Sequence, residues 1–458
     1  MSASARPNVI VFHTDQQRWD STGVHGNPLG LTPNFDRAAM EGTHLFNSFT
    51  CQPVCAPSRA SLQTGLFATS TGVFRNGIPM RRDLPTLAGC FRGAGYRTAY
   101  IGKWHLASHP GAPRGPVAEA DRAGYEEWLA ADALEHTSEE YRTVLYDTDG
   151  KPVRLPGYRV DALADAAIRF IDRQSSSQPS QPFFLFLSFL EPHFQNHRDD
   201  YPAPDGYAER YQGRWLPADL AALGGSSHQH FGGYCGMVKR LDEAFGRIRD
   251  ALKSLDLGER TIVLFTSDHG CHFKTRNDEY KRSCHESSIR VPTLLVGPGF
   301  DGGGRVRELV SMVDLPPTLL DAAGIPAPPS LHGRSVMPLI RSERQGWPDH
   351  VFIQISEAQI GRAVRTARWK YSVSAPGKNG WDEPAADSYE EEFLYDLRAD
   401  PCELTNLVGL ESHRAVADRL RSLLLGRIRE VEGRDAAIAP APSRPAGQRR
   451  VAPEEIGE

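Results

Sequence analysis

Apolar residues recur along the chain in two textures. "NVIVFHT" (8–14), "YRTAYIG" (96–102), "PFFLFLSF" (182–189), "RTIVLFTS" (260–267) and "VPTLLVG" (291–297) are continuous apolar runs. Strands of a parallel sheet covered on both faces have this pattern. Between them the apolar positions step by three and four. In "GYCGMVKRLDEAFGRIRDALKSL", Val238, Leu241, Phe245, Ile248 and Leu252 share one helical face. "TPNFDRAAMEG" reads as a helix opened by Thr32 and Pro33 and closed by Gly42. "VDALADAAIRFIDRQ" (160–174) reads as a helix, and so does "DLPPTLLDAAGIP" (314–326), stopped by Gly324 and Pro326.

After about Ser342 the texture changes. "HVFIQIS", "RAVRTARWKYSVS" and "EFLYDLRADP" are short strand-like pieces, followed by a helical "HRAVADRLRSLLLGRIREV" (413–431). The pattern predicts an α/β fold: a large, mixed, mostly parallel sheet sandwiched by helices over 1–342, with a small C-terminal α+β subdomain over 343–435. The Pro- and Ala-rich end, 436–458, lacks periodicity and reads as a disordered tail.

Composition narrows the classes. The 458 residues are 40% hydrophobic and 24% charged, enough for an ordinary packed core, and the net charge is −5 with no long basic run, which argues against nucleic acid as a partner. The longest apolar run, "FFLFLSFL", falls far short of the roughly 20 residues of a membrane span. "MSASARPNVIVFHTDQQ" lacks the charged, apolar and small-residue zones of a secretory signal, so the expectation is a cytoplasmic protein with no membrane partner. Seven cysteines, an odd number scattered over a long chain, do not form a disulfide framework.

Four of the strand candidates lead directly into residues of catalytic type. Asp15 and Gln16 follow the first; Lys103 and His105 the second; Glu191 and His193 the third; Asp268 and His269 the fourth. Ligands of open α/β sheets bind beyond the carboxyl ends of the strands, so these groups can converge on one edge. Each alone has a blander reading, as a helix cap or a core histidine. Asp15, Gln16, Asp268 and His269 supply carboxylate, amide and imidazole ligands, a set suited to Ca²⁺, Mg²⁺ or Mn²⁺. Lys103, His105, His193 and Lys281 add positive charge or proton donors. Together they describe an anion pocket with metal-assisted displacement at its centre.

"CQPVCAPSRASLQTG" (51–65) adds a nucleophile. "PSRASLQTG" reads as a helix start, with Pro57 near its first position and Gly65 as its stop. Cys55 then lies at the positive helix end beside Arg59, where thiolates and anions are favoured.

Here the chain resembles the type I sulfatases of the alkaline phosphatase superfamily. Their Cys-x-Pro-Ser-Arg signature, followed by x-x-Leu-x-Thr-Gly, stands as Cys55-Ala56-Pro57-Ser58-Arg59 with Leu62, Thr64 and Gly65. "PNVIVFHTDQQRWD", "TPNFDRAAMEG", "GYRTAYIGKWHL", "VLFTSDHG", "KRSCHESSIRVP", "VDLPPTLLDAAGIP" and "LYDLRADPCELTNL" extend the resemblance over about residues 7–430. It implies the alkaline phosphatase-like fold and hydrolysis of an organic sulfate ester. It implies that a formylglycine-generating enzyme oxidises Cys55 to formylglycine. The hydrated aldehyde has one hydroxyl to attack sulfur and another to expel the sulfate.

The resemblance also implies a metal site of Asp15, Gln16, Asp268, His269 and modified Cys55, holding calcium, with manganese as the alternative. Arg59, Lys103, His105, His193 and Lys281 match the residues that hold the sulfate and move protons. Many members carry two Asp residues where this chain has Asp15-Gln16, and Asn where it has His269. That pairing resembles a branch that includes phosphonate monoester hydrolases, so a phosphonate or phosphodiester hydrolase is the alternative activity, although Ser58 favours the sulfatase. A metal-bound carbohydrate-binding protein without catalysis would have lost Cys55, Arg59 or a metal ligand, and this chain retains all of them. His285, at a position often held by Tyr, either touches substrate or packs. Arg75, Asn76, Gln195, Asn196 and His197 are polar candidates for the mouth of the site and suit a sugar, so the expected partner is a small-molecule or oligosaccharide sulfate ester.

Overall fold

The computed structural model describes residues 6–109, 111, 114–302, 304–445, 451 and 453–456. Ten strands build one sheet: β1 Asn8–Thr14, β2 Thr43–Phe49, β3 Arg97–Lys103, β4 Glu127–Ala131, β5 Thr143–Tyr146, β6 Pro152–Leu155, β7 Phe183–Ser188, β8 Thr261–Ser267, β9 Leu294–Val296 and β10 Gly304–Ser311. Their order is β10-β2-β9-β8-β1-β7-β3-β4-β5-β6. The central five, β8-β1-β7-β3-β4, are mutually parallel.

The continuous apolar runs have a direct consequence in β1. Val9 and Val11 enter the core on one face, and Ile10 and Phe12 enter the core on the other. One face is covered by the helices Cys55–Thr64, Leu87–Gly93 and Leu315–Ala322, the other by Pro33–Glu41, Arg159–Ser177 and Ser227–Ser254. The stepped positions Leu241, Phe245, Ile248 and Leu252 are buried, as their spacing requires. Each such side chain contributes about 1.5–3 kcal/mol on burial, which is why the 3.6-residue period decides which face turns inward.

A second sheet is formed by β11 His350–Ile355, β12 Gly361–Thr366, β13 Trp369–Ser374, β14 Ser388–Asp396 and β15 Ala437–Ala439, backed by the helix Arg414–Glu432. It is joined to the large sheet by apolar contacts between Phe49, Ile289 and Leu309 on one side and Val351 and Ile353 on the other. A buried charge cluster reinforces the joint. Glu286 accepts from Arg365 and pairs with Lys370 at 2.9 Å, and Lys370 also reaches Glu403 at 2.5 Å.

Several sequence expectations need correction. "VPTLLVG" forms only the three-residue β9, which runs antiparallel to β8 and β2. β2, β10 and the β4–β6 extension were not foreseen: "THLFNSF" is interrupted by polar residues, and Ala-rich "EWLAADALEH" reads as helix. The tail is not disordered over its described part. Ala437–Ala439 pairs in parallel with β14, and Arg444 bridges Leu410 and donates to Val408 O and Asn406 O. Sparse apolar side chains gave no periodic signal there, because main-chain pairing and one arginine hold the segment. Residues 446–450, 452, 457 and 458 of the expected tail lie outside the described residues. Among the described residues, no helix is long and apolar enough to cross a membrane.

Candidate active site

The carboxyl ends of β8, β1, β7 and β3 lie side by side, and each delivers the residues that follow it in sequence. Main-chain bonds fasten these ends together: Asp15 N donates to Glu191 O at 3.1 Å, and Asp268 N donates to Thr14 O at 3.2 Å. The chain then turns sharply. Gln16 and His105 both adopt left-handed backbone conformations, with φ of 65° and 63°. Such strain costs of order 1–3 kcal/mol per residue and persists where surrounding structure demands it, commonly at functional sites. Gly102 also matters. Its φ is 111°, and a Cβ there would lie 1.9 Å from Ser188 O, so only glycine lets β3 meet β7 just before Lys103.

Helix Cys55–Thr64 fills the space above these strand ends, and all ten of its residues are buried. It begins at Cys55, two residues earlier than expected, so Pro57 is its third residue. Gly65 closes it with φ 68°. Asn76 Oδ1 accepts from Ala56 N at 3.0 Å, satisfying one of the donors at the helix N-terminus. Ser58 Oγ donates to Asp268 O at 2.6 Å, tying the helix to β8. Arg59 reaches four strand ends. It donates to Asp15 Oδ2 at 2.9 Å, Asp268 Oδ2 at 3.2 Å, Ser188 Oγ at 2.8 Å and Lys103 O at 3.0 Å.

Around Cys55 the charges are dense and dry. Its Sγ lies 2.9 Å from Lys281 Nζ, 3.4 Å from His269 Nε2 and 3.7 Å from Asp15 Oδ1. Burial opposes ionisation of the thiol, but Lys103, Lys281 and His269 outweigh it and hold its pKa well below the usual value. Burial and the Cys55 sulfur likewise oppose ionisation of Asp15, whose carboxyl is nevertheless held well below the usual range by Lys103, His193 and Arg59. Lys103 is fully buried between Asp15 Oδ2 at 2.8 Å and Glu135 Oε1 at 3.1 Å. Those partners keep it charged despite the cost of burial.

The residues present fit a divalent cation. Ligand atoms of Asp15, Cys55, Asp268 and His269 all lie within 4.8 Å of one another. His269 Nδ1 is 2.9 Å from Gly270 O, and its Nε2 faces Cys55 and both carboxylates. Gln16 donates its amide nitrogen to Tyr201 Oη at 3.0 Å, while its Oε1 is buried without a protein partner. Two carboxylates, an imidazole and an orphaned amide oxygen are ligands for a hard or borderline ion.

A cavity of about 340 Å³ opens over this cluster, lined in part by Cys55, Asn76, His105, Glu135, His193 and Lys281. His193 Nε2 faces Lys281 Nζ at 3.2 Å, and its Nδ1 is 2.7 Å from Phe194 O. His105 Nδ1 is 3.8 Å from Glu135 Oε1. Burial alone would depress His105, but Glu135 raises its pKa above the ordinary value.

Other candidates fall elsewhere. His285 is buried against Phe393 and Tyr395, its Nε2 3.2 Å from Tyr395 Oη, and it is not part of the cavity lining; it packs between the two sheets. His197 is exposed and also outside that lining, whereas Asn196 is within it. Gln195 is buried, with its amide on Glu135 O and Ser138 O, so it braces the loop rather than facing the mouth. Glu191 turns away to pair with Arg159 at 2.8 Å. Glu135 was missed. It follows β4, a fifth parallel strand end, whose helix-like composition concealed the position.

A mostly parallel α/β sheet whose strand ends gather two aspartates, a histidine and a buried cysteine beside the cationic side chains of Arg59, Lys103 and Lys281 fits a hydrolase of anionic esters. Sequence comparison places it more narrowly. Residues 7–325 match the model of the Sulfatase family, and residues 278–430 match that of the N-sulphoglucosamine sulphohydrolase C-terminal region. The chain belongs to the sulfatase family and hydrolyses sulfate esters. It is 29% identical to an ulvan-active sulfatase of Formosa agariphila, over 93% of this chain and 82% of that one. It is also 29% identical to an arylsulfatase of Clostridium perfringens, over 94% and 95% of the two chains. A solved structure from work on glycosaminoglycan metabolism by Bacteroides thetaiotaomicron superposes with a TM-score of 0.81 at 23% identity, over 93% of this chain and 97% of that one.

Proposed function

We propose that the substrate is a carbohydrate sulfate ester and that Cys55 acts as formylglycine beside a calcium ion. The observation that carries this reading is the convergence of Asp15, Asp268 and His269 on Cys55, which lines a polar cavity together with Lys281, while Arg59 and Lys103 pair with Asp15 behind it. The similarity to an ulvan-active sulfatase supports the choice of substrate class. When present, the cation supplies Lewis-acid polarisation and the modified side chain supplies the attacking hydroxyl.

The chain's own residues do the rest. Asp15, Asp268 and His269 would hold the cation, with the unpartnered Gln16 Oε1 as a further ligand. Arg59, locked between both carboxylates and Ser188, aligns those ligands and offsets their mutual repulsion. Lys281 presents an ammonium donor to the sulfate oxygens from the cavity wall, and Lys103 adds positive charge beside Asp15. Lys281 and His193 share a proton across 3.2 Å and deliver it to the departing sugar oxygen. His105, 3.8 Å from Glu135 and lining the cavity together with Cys55, takes a proton from residue 55. Burial of every one of these groups excludes water and strengthens each charge interaction.

Turnover of nitrophenyl sulfate, a phenyl phosphonate ester and a panel of sulfated mono- and disaccharides tests the reading. A sulfated sugar should be the best substrate. Preference for the phosphonate ester would transfer the chemistry to the other activity, and preference for the simple aryl sulfate would remove the carbohydrate.

A further inference from the structure

The rim of the cavity continues onto a surface built from three segments far apart in sequence. Asn76 and Arg282 line the cavity beside Cys55. Asn76 N donates to Glu357 Oε1 at 2.7 Å, and Glu357 Oε2 lies 2.5 Å from an Arg282 terminal nitrogen. Above them stands Trp381, in the loop between β13 and β14. Its ring centroid is 5.6 Å from the Arg282 guanidinium carbon and 5.8 Å from that of Arg75.

Trp381 is 41% exposed. The loop is built to hold it there. Asn379 Oδ1 accepts from Trp381 N at 3.0 Å, Asn379 Nδ2 donates to Asp382 Oδ2 at 2.6 Å, and Gly380 O accepts from Glu357 N at 3.1 Å. A Cβ on Gly380 would come within 2.8 Å of Gln359 O, so the loop lies directly on the segment that carries Glu357. A partly exposed indole fixed beside a cavity-lining arginine can serve as a stacking platform.

The two arginines beside it differ. Arg282 already pairs with Glu279 at 2.8 Å and with Glu357. Arg75 donates one bond, to Asn76 O at 2.9 Å; its Nε is buried without a partner, and among the described residues it makes no ion pair with a carboxylate. A guanidinium with donors to spare, packed beside an aromatic ring, suits an anionic group on whatever stacks there.

We infer that Trp381 and Arg75 form a second sugar subsite. The residue adjoining the sulfated sugar stacks on Trp381, and Arg75 binds an anionic substituent of that residue, a carboxylate or a second sulfate. The preferred substrate is therefore an anionic oligosaccharide rather than a sulfated monosaccharide. The inference rests on the carbohydrate reading above and deepens it.

Calorimetric titration of the Cys55→Ala protein tests binding apart from turnover. Three sulfated disaccharides serve as probes: one with a uronic acid beside the sulfated sugar, one with a second sulfate there, and one neutral there. At least one charged probe should bind about tenfold or more tightly than the neutral one, the scale of one charge-assisted hydrogen bond. Whichever it is identifies carboxylate or sulfate as the group held. Adding Arg75→Ala should erase the difference. Trp381→Ala should weaken all three, and Trp381→Phe should restore most of the loss. In the catalytically competent protein the same changes should raise KM for the charged disaccharide with kcat nearly constant. Equal affinities for charged and neutral probes, or a preference that survives Arg75→Ala, overturns the subsite. If the disaccharides are hydrolysed but Kd and KM ignore both positions, the carbohydrate reading stands and the subsite falls. If no disaccharide binds, both fall.

Discussion

Lys281 Nζ lies 2.9 Å from Cys55 Sγ, although 226 residues separate them in the chain. The contact places a buried ammonium directly on the side chain proposed as the nucleophile. It also makes Lys281 the bridge between that residue and His193. The consequences for catalysis can be checked one group at a time.

Cys55→Ala should abolish turnover, because no other group at the cavity floor can carry a formylglycine. Cys55→Ser should do nearly the same, since a serine hydroxyl cannot be regenerated through an aldehyde. Losing a covalent nucleophile costs orders of magnitude, so a residual rate above about a tenth of wild type would sink the assignment. Mass spectrometry of the peptide containing Cys55 should show formylglycine in the active protein.

Asp15→Ala and Asp268→Ala should each remove stoichiometric metal, read by elemental analysis after dialysis. A hard cation depends most on charged oxygen ligands. Gln16→Ala removes only a neutral oxygen and should weaken occupancy less. Full occupancy in both aspartate variants places the metal elsewhere, and calcium should be the ion recovered from the native protein.

The leaving group separates the proton donors from the other cations. A nitrophenolate departs without help, whereas a sugar alkoxide needs a proton. His193→Ala and Lys281→Ala should therefore slow a sugar sulfate much more than nitrophenyl sulfate. Equal losses on both substrates would assign the pair to binding rather than proton transfer.

Glu135→Gln addresses His105. Burial lowers the imidazole pKa and Glu135 raises it, with a net rise. A base must be deprotonated to act, so activity climbs as pH rises through this pKa. Removing the carboxylate lowers the pKa, and the rising limb of the pH–rate profile should move to lower pH. A limb that stays in place would mean another group sets it.

The sheet core has its own test. Phe12 is fully buried between Phe189, Phe245 and Phe265, with ring centroids 4.6–5.3 Å away. Phe12→Ala should cost about 3–5 kcal/mol of stability, seen as a large drop in Tm. A drop of only a degree or two would mean that this contact network is not part of the cooperative core.

What the sequence alone determined was whatever depends on local pattern. Continuous apolar runs mark β1, β3, β7 and β8 because both faces of those strands are covered. The residues just past their ends, Asp15, Gln16, Lys103, His105, His193, Asp268 and His269, were legible because a parallel sheet brings such ends together. The Cys55–Gly65 motif needed no fold at all to be recognised. Tertiary structure decided the rest. Glu135 belongs to the site only because an Ala-rich segment pairs as β4 beside β3, against its helical propensity. His285 packs against Phe393 and Tyr395, and Gln195 leaves the mouth because the carbonyls of Glu135 and Ser138 hold its amide. Residues 437–444 are ordered through pairing with β14 and the bonds of Arg444, which no periodicity announces. Trp381 reaches the cavity rim only because the second sheet docks where it does. These four outcomes depend on contacts between residues distant in sequence, and local spacing carries no trace of them.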